Sequence, residues 1–125
     1  MSERLVRQTD SITAQINLYI SYDNLGDIRE KQDNLDNAKE YYKKSLFINE
    51  RLADKLKTPI DDYNVACCYR KIGLLCTGKE RAEWLNKAEK ILQQLYELYY
   101  DEPLYAEMFE GMLEMVENDI SKTEL

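Results

Sequence analysis

The side chains available for chemistry in this 125-residue chain are carboxylates, phenols and thiols. It holds 24 Asp and Glu, 10 Tyr and 3 Cys, and no His. Without His it lacks the commonest general base, proton shuttle and metal ligand. Neither a Ser-His nor a Cys-His nucleophile pair can be built. Catalysis could use only carboxylates, and Asp and Glu scattered along helices are expected by chance. Asp23…Asp27 and Asp33…Asp36 lack the D-x-[DN]-x-[DN]-G core of a calcium loop. There is no Gly-rich phosphate loop and no G-x-S-x-G. Cys67, Cys68 and Cys76 lie close together, odd in number and without C-x-x-C spacing. That fits reduced thiols in a cytoplasmic protein better than a disulfide or zinc framework. The expectation is a non-enzyme with no cofactor and no metal.

Charge narrows the partners. Acidic side chains exceed Lys and Arg by 24 to 17, a net of −7. The excess sits wholly after residue 100, where eight acids face one base, Lys122. A phosphate-backbone binder needs clustered Lys and Arg, so nucleic acid is not an expected partner. No 18-residue apolar stretch predicts a membrane span, and the opening Met-Ser-Glu-Arg-Leu lacks the basic-then-apolar run of a signal peptide.

The elements that must position these groups read as helices. Few Gly and Pro, with a third of residues charged, point to an all-α chain. Helical spacing of Ile12, Ile16, Tyr19 and Ile20, with a second stripe of Leu18, Tyr22 and Leu25, predicts a first helix over about 11–31. The polar turn Gln32-Asp33-Asn34 stops it and supplies an N-cap. A second helix is expected over about 35–57 and a third over 59–76, started by Thr58 as cap and Pro59 at the first position. Thr77-Gly78 is expected to stop the third helix, with Gly as its C-terminal break. A fourth is expected over 80–100 and a fifth over 103–121. The fifth has an apolar side carrying Met108, Met112 and Met115 and a wet side carrying Glu107, Glu110, Glu114 and Glu117.

The chain repeats itself at a shift of 47 residues. Glu3-Arg4-Leu5 returns as Glu50-Arg51-Leu52, Asn17 as Asn64, Tyr22 as Tyr69 and Gly26 as Gly73. A fixed period of this size marks a solenoid, in which each unit buries its apolar face only by stacking on the next. The expected architecture is an α-solenoid of about two helix-turn-helix units, 11–57 and 58–101, with a capping helix over 103–121, in one domain spanning 1–125. Glu3-Arg4-Leu5 would then match the tail of a second helix whose earlier part is absent.

Tyr22-x-x-Leu25-Gly26 followed by Ala38-x-x-x-Tyr42 resembles the tetratricopeptide repeat pattern. Tyr69-x-x-Ile72-Gly73, Ala88-x-x-x-Leu92 and Pro103 repeat it. Tyr22 and Tyr69 stand where that family has Trp, and the period exceeds its usual 34 residues, as in its longer variety. Gly73 to Ala88 is 15 residues against 12 from Gly26 to Ala38, which predicts a longer second turn.

The resemblance implies a concave groove, lined by the first helix of each unit, that holds a peptide or helix of a partner protein. By register its lining would be Ile20, Asp23, Asn24 and Asp27, then Cys67, Arg70, Lys71 and Leu74. Asn24 falls where peptide-binding members place an amide against the ligand backbone, and Arg70 and Lys71 could meet a carboxylate. The plainer account is that Asp23 and Arg70, equivalent positions on adjacent helices, pair with each other. Most tyrosines and methionines are expected in the core, and Cys67 and Cys68 as small buried hydrophobes. The expected function is a non-catalytic protein–protein interaction module. The alternative is structural: exposed ends of the solenoid stack to form a homo-oligomer.

Overall fold

Five helices in a computed structural model account for nearly the whole chain: α1 (Glu3–Lys31), α2 (Leu35–Leu56), α3 (Pro59–Leu74), α4 (Gly78–Tyr99) and α5 (Pro103–Ser121). The structure describes residues 11–124 in full and, of residues 3–10, only the helical backbone. The architecture is all-α, as the composition and periodicity predict.

Local chemistry explains most of the boundaries. Asp33 adopts a left-handed φ of 62°, and the Asn34 side chain accepts from the Asn37 backbone N–H to open α2. Lys57, also left-handed, closes α2 with its N–H on the Ala53 carbonyl. Thr58 accepts from the Asp61 N–H and Pro59 occupies the first position of α3, where its missing N–H leaves no bond unmade. The 77–78 junction differs from expectation. α3 stops at Leu74, and Gly78, at a φ of +58°, is the first residue of α4 rather than the stop of α3.

Connections of two or three residues force neighbouring helices antiparallel. Each helix packs on its neighbour in the chain, and α3 also touches α5. The result is a row of stacked helices with α1 at one end and α5 at the other. Ala38, Tyr42, Leu46, Val65, Cys68, Ile72 and Cys76 form one buried cluster; Ala66, Ala88, Leu92 and Val116 form the other. These arrangements are compatible with a helical repeat.

The two hairpins correspond closely at their crossings. Tyr22 stacks on Tyr41 with ring centres 6.2 Å apart, and Tyr69 meets Trp84 at 5.7 Å. A Cβ built on Gly26 would lie 2.5 Å from the Tyr42 ring, and one on Gly73 would lie 3.0 Å from the Trp84 Cβ and 3.3 Å from Leu85. Gly26 and Gly73 therefore hold matching places, with Tyr42 answered by Leu85.

That match overturns the predicted longer second turn. Both hairpins are linked by three residues. The second hairpin is the shorter one, because α3 ends one residue after Gly73 while α1 continues five residues past Gly26. Ala88 and Leu92 thus correspond to Ser45 and Asn49 rather than to Ala38 and Tyr42. The extra turn of α1 has a physical role. It carries Glu30, whose carboxylate lies 3.0 Å from the Tyr42 hydroxyl; Asp27, at the position matched by Leu74, accepts from the same hydroxyl at 2.5 Å. Leu85 has no hydroxyl and needs no such turn. Residues 3–5 belong to α1 and not to the tail of a preceding second helix. The side chains of Glu3, Arg4 and Leu5 lie outside the described residues.

Candidate functional site

The predicted lining residues fall on the face shared by α1, α3 and α5, and packing occupies several of them. Tyr42, 2 % exposed, donates its hydroxyl proton to Asp27. Burial raises the Tyr42 pKa first, and the two carboxylates at its hydroxyl raise it further. Arg70 does not pair with Asp23. Its Nε donates to Asp119 Oδ2 of α5 at 2.6 Å, tying the third helix to the fifth. Asp119 was not among the residues read from the sequence, although it stands 49 residues after Arg70, close to the repeat period.

Asp23 is half-buried between α1 and α3. Burial pushes its carboxyl above the usual carboxylate range, opposed by the nearby Ser45 hydroxyl and the Lys71 ammonium, with Asp27 adding to the rise. Its Oδ1 is buried with no hydrogen-bond partner. Lys71 Nζ lies 5.3 Å from the centre of the Tyr42 ring. Cys67 lies in the field of Lys71, Arg70 and Asp23, and burial is the main cause that pushes its thiol up. The fold therefore gathers Asp23, Cys67, Arg70 and Lys71. Ile20 and Asn24 are exposed beside them on α1, and Leu74 is half-buried at the end of α3.

Behind this face, Asn49 Nδ2 donates to the Ser45 carbonyl at 2.9 Å and to Ser45 Oγ at 3.2 Å, and lies 3.5 Å from Cys68 Sγ. Burial and the Asp23 charge push the Cys68 thiol up to about 12. Such a thiol is not a nucleophile at neutral pH. Among the described residues, no three Cys, Asp or Glu side chains converge as a metal site.

A second surface lies along the α1–α2 hairpin, with its Lys43 Nζ 6.0 Å from the Trp84 ring of α4. Leu18 and Tyr22 of α1 and Phe47 and Ile48 of α2 line an apolar groove of about 560 Å³. Among the described residues, the charged side chains lining it are the cations Lys43, Lys44 and Arg51. Lys44 Nζ sits 5.6 and 5.5 Å from the rings of Tyr22 and Tyr41, and the Arg51 guanidinium 5.6 Å from Phe47. Phe47 is 61 % exposed, and Leu18 is exposed in the same groove on α1. Glu50 and Asp54 open on another part of α2, toward α3.

Register-based transfer missed this groove, yet a signal for it exists. Leu46-Phe47-Ile48 are three consecutive apolar residues on a helix that turns about 100° per residue. They cannot all face one core; Leu46 and Ile48 are buried and Phe47 is left outside.

The fold and these surfaces define an all-helical stack with small residues at its hairpin crossings and an uncovered apolar groove at one end. In comparisons with known proteins, no family model, curated protein or solved structure matches the chain. No helix among the described residues is long and apolar enough to cross a membrane.

Proposed function

We propose that this chain is a non-catalytic protein-interaction module of the helical-repeat kind, similar to tetratricopeptide arrays. In it the α1–α2 groove seats an apolar, acid-flanked helix of a partner protein. The observation that carries this is Phe47, exposed beside an apolar floor whose charged lining, among the described residues, is Lys43, Lys44 and Arg51. A preformed groove between packed helices lowers the ordering cost of binding, and an amphipathic helix buries its apolar stripe there. The cations favour carboxylates at the edge of that stripe. Three free cysteines raised by burial suit a reducing compartment, and a cytoplasmic location belongs to the same proposal.

The inner face supports a second reading, a peptide-binding surface along α1 and α3. Its support is the exposed amide of Asn24 next to the unpartnered Asp23 Oδ1.

Selection of a displayed library of amphipathic helices against the immobilised protein tests both. Binders enriched in acidic flanks that are lost in Phe47→Gln and kept in Asn24→Ala fit the end groove. Binders lost in Asn24→Ala and kept in Phe47→Gln move the site to the inner face. A selection that yields no saturable binder would refute the interaction-module reading.

A further inference from the structure

The groove has a counterpart at the opposite end of the same molecule. α5 packs on α4 through Phe109 and Val116, both fully buried. Its outward side carries Leu104, Met108, Gly111 and Met115 at intervals of four, three and four, one continuous stripe on a helix. Leu104 is 85 % exposed and Met115 46 %. A Cβ on Gly111 would meet nothing within 4 Å, so the stripe is open along its middle. Glu107, Glu110, Glu114 and Glu117, all exposed, run beside it. The helix holds five carboxylates and no Lys or Arg.

We infer that the occupant of the α1–α2 groove is α5 of a second copy of this chain, joined head to tail. This rests on the groove being a docking surface, and it names the partner. The two faces are complementary in kind: an apolar groove edged by cations and an apolar ridge edged by carboxylates. Charge also selects the orientation. Groove against groove would bring Lys43, Lys44 and Arg51 of two copies together. Ridge against ridge would oppose eight glutamates. Only groove against ridge pairs opposite charges, so like-with-like dimers are disfavoured as head-to-tail contact is favoured. Because the two faces lie at opposite ends of the stack, one chain cannot fill its own groove. The contact is heterologous and propagates into rings or short filaments.

Sedimentation velocity and light scattering on the full chain across a concentration series test this. The wild type is expected to exceed one protomer mass, 14.8 kDa, as concentration rises, less so at high salt. Phe47→Gln removes the groove's anchor, and the double change Leu104→Gln/Met115→Gln removes the ridge. All three positions are exposed, so helicity by circular dichroism should be kept in both. Each variant alone should associate at least about tenfold more weakly. Mixed together they should form a 1:1 dimer that grows no further, since one supplies an intact ridge and the other an intact groove. A wild type that stays monomeric throughout overturns the second-copy inference, as does a mixture that forms no dimer. If displayed acidic helices still require Phe47 in that case, the groove reading survives and only the identity of its occupant falls.

Discussion

Replacing each helical glycine by alanine should give opposite results at two positions, with signs set by what a methyl group would meet. Away from close packing, alanine in a helix interior is better than glycine by about 0.5–1 kcal/mol. At Gly111 nothing lies within 4 Å of the new Cβ, so Gly111→Ala should stabilise by that amount. At Gly26 the Cβ would stand 2.5 and 2.7 Å from two Tyr42 ring carbons, far inside contact distance. The ring cannot swing aside freely. Tyr42 is 2 % exposed, packed in the first core cluster, and held through its hydroxyl by Asp27 and Glu30. Overpacking of this kind costs about 1–3 kcal/mol, and loosening the hydroxyl adds about 1. Net of the propensity gain, Gly26→Ala should destabilise by about 1–3 kcal/mol. Gly73→Ala should fall between, since its Cβ meets the Trp84 Cβ at 3.0 Å and Leu85 at 3.3 Å. For a domain of this size 1 kcal/mol moves the melting temperature by about 4 °C. Thermal unfolding by circular dichroism should rank Gly111→Ala above wild type, then Gly73→Ala, then Gly26→Ala. A Gly26→Ala protein melting at or above the wild-type temperature would refute the hairpin crossing described here.

A double-mutant cycle on Arg70 and Asp119 should give a coupling of about 1 kcal/mol, because the pair is short and partly buried. The cycle on Arg70 and Asp23 should lie within about 0.5 kcal/mol of zero; the reverse ranking would mean that Arg70 faces α1. Asp23 has a folded pKa above its unfolded one, chiefly through burial, so the folded state holds the proton more tightly. Its effect on stability is therefore most favourable below the unfolded Asp value, about 3.9, and is lost as pH rises through the folded value. Asp23→Asn should raise the urea midpoint at neutral pH by under about 1 kcal/mol equivalent and leave it unchanged in acid; a lower midpoint at neutral pH counts against the burial account. With Cys68 pushed up to about 12 and Cys67 and Cys76 also raised by burial, native thiols should react with a disulfide reagent far more slowly than a free thiol and together on unfolding. Rapid native labelling of Cys68 would contradict its burial.

Helix number and type were legible because apolar period, caps and Pro punctuation agree at most boundaries, the start of α1 and the 77–78 junction excepted. Asn34, Thr58-Pro59 and Pro103 act where their chemistry predicts. The register of the second hairpin was misread, since matching alanine to alanine placed Ala88 opposite Ala38. In the structure, packing and not residue identity sets equivalence: Ser45 and Ala88 are both small enough to sit fully buried where the next helix crosses. Among the predicted lining residues, those with internal partners were the least legible. Whether Arg70 turns toward α1 or α5 depends on the rotation of α3 between its neighbours, which a single periodic pattern does not define. Asp119 is a carboxylate in an acidic helix, and nothing local distinguishes it from the four glutamates before it. Phe47 was legible in principle from the Leu46-Phe47-Ile48 run but belongs to no repeat position that the resemblance assigns a role.

A stacked-helix chain divides its residues between those that join neighbours and those that face outward at an end. On the inner face the joining duty claims much of the chemistry. Asp27 accepts from Tyr42, Arg70 binds Asp119, and Lys71 lies over the Tyr42 ring. A ligand there competes with bonds the fold already makes. Phe47 and Leu104 have no comparable duty. At 61 % and 85 % exposure they withdraw little apolar area from water within their own domain, so their removal should change its stability by less than about 0.5 kcal/mol. A large hydrophobe kept in water contributes to the fold only weakly, and it gains most when another surface covers it. Leu98 and Tyr100 are exposed to a similar degree on the α4 side, and Phe47 and Leu104 stand toward opposite ends of the row, one beside cations and the other beside carboxylates. Those ends are where this molecule has binding energy left to use.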